Sequence, residues 1–422
     1  MPRDPASPEP RNHKHDPYAA LRVGNFRWLV LSYAASTVAR EAQIVVVGWQ
    51  IFAFTHDPLS LGMIGLAEAL PFIAVALYAG HVADRSERRA IAFAGTFGML
   101  LSAIALLVFT MTGMLRAGRI WPIYLVIFLS GIMRSFTRPA FTALSADVVT
   151  RDLYSNAVTW RSSTWQLAAV IGPAVGGLVY GFSSAKVAYA GVTVLFAVAL
   201  VTLAGVRHRS RPTGTIEMPI RQSMLVGIRF LVEQPVLLAA MTLDLFSVLF
   251  GGAVALLPIF ASLLRVGPQG LGILRAAPAV GSLVTGMIVT HRPPMKRAGP
   301  SLFAAVAIFG VTTIFFALSR NFWLSLALLT AGGMADNVSV IIRGTLLQTR
   351  TPSEMLGRVS SVNQIFIGAS NEIGAFESGV AARLIGVVPS VIFGGAMTLV
   401  VVALTMWRSP ALRRMTDLSS RA

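Results

Sequence analysis

Pro300-Ser301-Leu302-Phe303-Ala304-Ala305-Val306-Ala307-Ile308-Phe309-Gly310-Val311-Thr312-Thr313-Ile314-Phe315-Phe316-Ala317-Leu318-Ser319 carries no charged residue. A helix rises 1.5 Å per residue, so a run of this length crosses a hydrocarbon core of about 30 Å. Stretches of the same kind recur on both sides. We read spans at 27–53, 58–82, 90–112, 120–143, 156–180, 185–206, 236–262, 268–290, 300–319, 322–348, 360–382 and 386–407. Each must be helical, because lipid offers no partner for bare backbone groups. The sequence therefore predicts an all-α membrane protein of about twelve helices.

Composition agrees. The 422 residues are 55% hydrophobic and only 13% charged, against about a quarter charged in soluble domains. With no cysteine in the chain, disulfides, thiolate metal sites and cysteine nucleophiles are excluded. The net charge of +17 reads as positive-inside loops rather than a nucleic-acid surface. Arg85, Arg88, Arg89, Arg138, Arg151, Arg209 and Arg292 gather after even-numbered spans, with Arg3, Arg11 and Lys14 before the first and Arg413 and Arg414 after the last. Both termini are thus expected in the cytoplasm. No histidine pair has metal spacing, and no phosphate-binding loop or nucleophile elbow is present. We expect neither an enzyme nor a cofactor.

The longest gap between spans divides the chain. We expect a tail over 1–26, a six-helix bundle over 27–206, a cytoplasmic linker over 207–235, a second six-helix bundle over 236–407 and a tail over 408–422. The linker ends in RQSMLVGIRFLVEQP, residues 221–235, whose apolar spacing predicts an amphipathic helix on the membrane surface. Two six-span halves around a linker suit a pseudo-symmetric transporter.

Between spans two and three stands Gly80-His81-Val82-Ala83-Asp84-Arg85-Ser86-Glu87-Arg88-Arg89. It resembles the signature loop of the major facilitator superfamily, with Glu87 where a second glycine is usual. Gly80 permits close helix approach. The resemblance implies that Asp84 faces the positive N-terminal end of the eleventh span, with Arg85, Arg88 and Arg89 as the basic part of the motif. Gly172-Pro173-Ala174-Val175-Gly176-Gly177 in span five resembles the antiporter motif of drug:proton antiporters. Its proline bends the helix and its glycines allow tight contact. Arg343-Gly344-Thr345-Leu346-Leu347-Gln348 and Thr351-Pro352-Ser353-Glu354-Met355-Leu356-Gly357-Arg358 resemble the inner-side region of the enterobactin-exporter group, within the third drug:proton antiporter branch. There Arg343, Gly357 and Arg358 form an inner-side motif. The resemblance implies secondary active export of a small amphipathic, siderophore-like or drug-like compound. Export would be driven by the proton motive force across a bacterial inner membrane, by a monomer.

Ionisable residues inside spans are costly in lipid and face a cavity or a partner. Arg40 and Glu41 in span one and Glu68 in span two lie near the midplane, and adjacent spans bring them together. Glu41 or Glu68 is a candidate carrier of the coupling proton, against a structural ion pair. In span eleven, Glu372 and Glu377 are five residues apart, so they project roughly 140° apart and cannot share one cavity. Glu372, nearer the midplane, is the cavity candidate. Asp336 in span ten is a further one, Arg343 is placed to snorkel inward, and Asp244 is a candidate partner for Arg275. An importer on the same fold and a non-transporting membrane sensor remain the alternatives, because fold does not fix function.

Overall fold

A computed structural model describes residues 16–208, 220–291 and 297–416, without the side chains of 76–77, 80–81, 83–85, 220–221 and 223. Every expected span is a helix. We number them α1 (Gly24–Thr55), α2 (Pro58–Arg85), α3 (Arg88–Met111), α4 (Trp121–Asp147), α5 (Tyr154–Phe182) and α6 (Ala185–Ala204). After the linker come α7 (Pro235–Leu263), α8 (Gly267–Thr290), α9 (Ala298–Leu318), α10 (Phe322–Arg350), α11 (Ser353–Ile385) and α12 (Val387–Arg408). Their starts follow local chemistry. Pro58, Pro122, Pro235 and Pro268 occupy first turns, where a missing N–H costs nothing. Asp57 caps α2 by accepting from Ser60 N at 3.0 Å, and Asn321 caps α10 by accepting from Trp323 N at 2.9 Å.

One span departs from expectation. The continuous helix read over 236–262 is broken: Pro235–Phe250 ends at Gly251 and Gly252, a 3₁₀ turn covers Ala253–Leu256, and Leu257–Leu263 resumes. Pro258 withholds the backbone donor that would continue the ladder. The break packs closely on α11, where a side chain on Gly374 would meet the Leu249 carbonyl at 2.7 Å.

Nine of the described helices are long and apolar enough to cross a membrane. The other three of comparable length, α1, α4 and α11, supply charged side chains to the site below. This is a multi-pass membrane protein.

The packing of the first six helices is repeated by the last six. α1 packs on α5 and α6 as α7 packs on α11 and α12, and α2 and α3 pack on α4 as α8 and α9 pack on α10. Between the two sets, α2 lies against α11 and α5 against α8, pairs that a two-fold exchange of the halves interconverts. On the side away from the termini, one apolar core joins both halves, with Ile51 and Phe52 of α1, Leu256 and Phe260 of α7 and Phe316 of α9. On the termini side the cores are separate, one around Phe26, Phe141 and Leu144 and the other around Leu237, Phe303 and Leu346. The halves are therefore closed against each other at the far side.

The linker helix forms over Ile220–Glu233. Leu231 is buried in the second termini-side core, and Gly227 sits against Val362 and the Arg358 carbonyl of α11. Leu225 and Val232 point outward, 55% and 61% exposed, which suits a helix lying along an apolar phase. The expected tail over 1–15, the linker over 209–219 and residues 417–422 fall outside the described residues.

Candidate functional site

Arg40 and Glu41 sit halfway along α1, and Arg134 halfway along α4. These positions, with Glu68 of α2 and Glu372 of α11, converge on one chain of ion pairs. Arg40 Nη1 donates to Glu41 Oε1 at 2.7 Å and Nη2 to Glu68 Oε1 at 3.4 Å. Arg134 Nη1 donates to the same Glu68 oxygen at 2.5 Å, and its Nη2 to Glu372 Oε1 at 2.9 Å. The guanidinium fork of Arg134 thus bridges the two halves of the protein, a task suited to a planar donor with fixed geometry. Arg275 of α8 lies within electrostatic reach of Glu41, Glu68 and Glu372. Glu41, Glu68 and Glu372 thus stand among Arg40, Arg134 and Arg275, and Arg138 of α4 is also within reach of Arg40 and Arg134.

Of the expected residues, Arg40, Glu41, Glu68 and Glu372 come together here. Arg134 was missed, although the signal was available: it is a charged residue in the middle of an apolar run. Glu377 makes no ion pair among the described residues, in keeping with its different face of α11.

Close helix approach makes these contacts possible. A Cβ on Gly65 would lie 2.6 Å from Ala375 Cβ and from the Glu372 carbonyl, so α2 crosses α11 at the level of the network. In the glycine motif, Gly172 packs on Glu41 and Gly176 on Ala42 of α1, whereas Gly177 packs on Pro268 and Gly272 of α8 in the other half. Pro173 is buried within α5. The motif therefore seats α1 beside the network with one edge and seals the halves with the other.

A small cavity of about 50 Å³ lies beside Arg40, Glu68 and Arg134 in the first half, between α1, α2, α3, α4 and α6. Ile44, Val47, Ile64 and Ile127 make its walls apolar, while Gln43 and Ser130 also line it. Gln43 Oε1 and Ser130 Oγ are buried without a protein partner. Buried polar atoms of this kind are satisfied by water or by a ligand. At about 50 Å³ the cavity has room for water and is smaller than a small-molecule site.

A second charged group lies in the other half and corrects two expectations. Arg343 does not snorkel: it is 8% exposed and its Nη1 pairs with Asp244, itself 7% exposed. Asp244 is consequently not the partner of Arg275. Arg343 Nε also donates to Ser339 Oγ at 3.2 Å, and Asp336 is within electrostatic reach of Arg343 and Asp244. Two helices approaching at this depth bring the pair together, and linear distance along the chain conceals it.

In the signature loop, Arg88 Nη1 donates to Asp147 at 2.6 and 2.8 Å, and Arg89 Nη2 to the Ala204 carbonyl at 3.1 Å. Both tie the start of α3 to helices of its own half. Gly80 and the side chains of Asp84 and Arg85 lie outside the described residues. A side chain on Gly357 would meet nothing within 4 Å, so packing does not demand glycine there.

The family model for transmembrane secretion effectors, a group of the major facilitator type, matches residues 15–422. The chain belongs to the transmembrane secretion effector family. Curated relatives of this effector include the enterobactin exporter EntS of Shigella flexneri and that of Escherichia coli O1:K1, each 26% identical over 401 residues, spanning 91% of this chain and 93% of the relative. Among solved structures, a POT family transporter in complex with 5-aminolevulinic acid superposes with a TM-score of 0.69 at 11% identity, covering 92% of this chain and 96% of the other. A POT family transporter with a thioalcohol-conjugated peptide gives 0.70 at 12% identity, over 92% and 96%. These structures establish the fold of the secretion effector. Family and relatives are transporters, not enzymes.

Proposed function

We propose that this transporter exports a small amphipathic compound from the cytoplasm in exchange for protons, by alternating access across the bacterial inner membrane. The observation that carries the reading is the bridge from Glu68 through Arg134 to Glu372, set at mid-depth where the two halves meet. The halves cannot part at the far side without breaking it. A site that must exchange ion pairs for a proton or a cargo in order to reopen is what coupled transport needs. The excess of arginine on the termini side orients both termini to the cytoplasm, so the closed face is the external one and cargo enters from inside. The apolar walls beside Arg40 and Arg134 suit a compound with an apolar body and a few hydrogen-bonding groups, admitted once the cavity of about 50 Å³ widens. Efflux as the direction draws on the enterobactin exporters among the relatives.

The test is proton flux in everted membrane vesicles carrying an imposed pH gradient. Candidate siderophores and lipophilic cations are added one at a time. At least one compound is expected to collapse the gradient, and Arg134→Gln, expressed and inserted normally, is expected to abolish the response. Accumulation of that compound in right-side-out rather than everted vesicles would establish import instead.

A further inference from the structure

Two arginines on the cytoplasmic side of the central network have no carboxylate of their own. Arg138 lies one turn inward of Arg134 on the same face of α4, about 6 Å along the helix. Its Nη2 donates to Gln364 Oε1 of α11 at 3.0 Å, a bond that crosses from one half to the other. Arg161 of α5 donates through Nη1 to Thr142 Oγ1 of α4 at 2.5 Å. Among the described residues neither arginine is paired with a carboxylate, and Asp147 at the inner end of α4 is taken by Arg88. Arg138 is within electrostatic reach of Arg134, Arg40 and Arg161, and Tyr33 of α1 within reach of Arg161, Arg138 and Arg40. Three helices of the first half thus turn cations toward one space. Arg138, Thr142 and Gln364 are exposed, and the bond from α4 to α11 places them in the cleft that separates the halves on the termini side.

Their depth argues against ordinary positive-inside arginines, which belong to loops and helix ends. Arg138 stands about two and a half turns before the end of α4, and Arg161 about two turns after the start of α5. Both are therefore roughly 10 Å or more inside the helix ends. Their present acceptors are a neutral amide and a neutral hydroxyl. A charge-assisted hydrogen bond is about twice as strong as a neutral one, and the guanidinium fork matches carboxylate and phosphate. An anionic group would displace both acceptors. Trp165, one turn beyond Arg161 on the same face of α5, is 49% exposed and offers an apolar surface beside the cations.

We infer that Arg138 and Arg161 receive the charged end of the cargo on the cytoplasmic side, and that the cargo is an organic anion with a carboxylate or phosphate on an apolar body. This deepens the export reading and rests on it for the direction of movement alone. The same charges disfavour a lipophilic cation.

Binding by the purified full-length protein tests this without flux. In phosphatidylcholine nanodiscs it is titrated with naphthalene-2-carboxylate, 2-naphthyl phosphate, the neutral naphthalene-2-carboxamide and the cationic 2-naphthylmethylamine. These share an apolar body and differ in charge. A ligand that prefers the folded state raises the thermal unfolding midpoint. At least one of the two anions is expected to raise it saturably, and the amide and the amine are not. Arg138→Gln and Arg161→Gln are each expected to weaken that binding roughly ten- to a hundredfold. Without ligand, each should unfold near the parent midpoint, since only a bond to a neutral acceptor is lost. Each variant tests the site independently, so one that fails to fold leaves the other. Arg138→Lys is expected to recover part of the affinity. Inorganic phosphate alone should have no effect, and adding phosphatidylglycerol to the discs should leave the saturating shift in place. No shift with either anion, an equal shift with the amide or the amine, or an undiminished shift in either glutamine variant overturns the assignment. An equal effect of inorganic phosphate would mark a simple anion site, and loss of the shift with phosphatidylglycerol a lipid headgroup site; each also overturns it. If the anions bind as expected yet collapse no pH gradient in everted vesicles, the proton-exchange reading fails and the anion site stands.

Discussion

Gly176 and Gly177 are neighbours in the chain, yet they face different partners, and the difference separates packing within a half from packing between halves. Substituting Gly177→Ala places a Cβ 2.5 Å from the Pro268 carbonyl oxygen, 2.7 Å from Gly272 Cα and 2.8 Å from Gly272 N. Carbon atoms pack comfortably at about 3.5–4.0 Å, so α5 and α8 must separate by roughly 1 Å. All three obstacles are backbone and cannot rotate away. Overpacking of this kind costs about 1–3 kcal/mol. The contact joins opposite halves on the far side, so the cost falls on the closed-outside state alone. It should move the equilibrium between states by about 5–150-fold toward opening on that side. Gly176→Ala meets Ala42 Cα and the Ala42 carbonyl at 2.8 Å, within one half, and burdens both states alike. The chain has no cysteine, so spin labels can be placed cleanly at Phe182→Cys and Leu384→Cys. These positions lie at the far ends of α5 and α11 and are 81% and 77% exposed. Double electron–electron resonance should show a longer distance gaining population in Gly177→Ala and not in Gly176→Ala, which should instead lower the thermal unfolding midpoint. Identical distance distributions in the two variants would refute the assignment of Gly177 to a seal between moving halves.

Further outcomes follow from the ion pairs. Arg134→Gln leaves Glu68 and Glu372 without the cation they share, and should destabilise the closed-outside state by about 3–5 kcal/mol, seen as a widened distance between the same labels. Arg134→Lys should recover only part of this, since a point charge cannot fork between two carboxylates. Arg343→Leu leaves the buried Asp244 without the cation it pairs with and should lower the thermal midpoint in detergent, since removing one partner of a buried pair costs about 3–5 kcal/mol. At the far surface, Arg383 and Asp57 form an exposed pair at 3.4 Å, and Arg383→Ala should cost at most about 1 kcal/mol and less in high salt. Asp57→Ala should cost about 1 kcal/mol more, because it also removes the cap on Ser60 N at the start of α2. Thermal unfolding at two salt concentrations separates the two.

Periodicity and charge placement made the helices legible because each span answers to lipid locally: an apolar run of sufficient length has no alternative to helix. The interruption of α7 was legible in principle, in Gly251-Gly252 followed by Pro258, but hydropathy is blind to it. Ionisable residues within spans pointed to Arg40, Glu41, Glu68, Asp336 and Glu372, because burying a charge in lipid marks a site wherever it occurs. Their partnerships were not legible. Arg134 is 238 residues from Glu372, and Arg343 reaches Asp244 across two helices rather than the lipid surface.

The sequence by itself determined the helices, their number and the positions of charge along them, since these depend on each segment and its solvent. Tertiary structure alone decided that Gly177 seals the halves while Gly176 holds α1, and that Arg134 bridges the halves. It also decided that Arg343 pairs with Asp244 inside the second half rather than reaching the lipid surface. Those properties depend on which helix faces are turned toward each other, and that is fixed by close packing of distant segments.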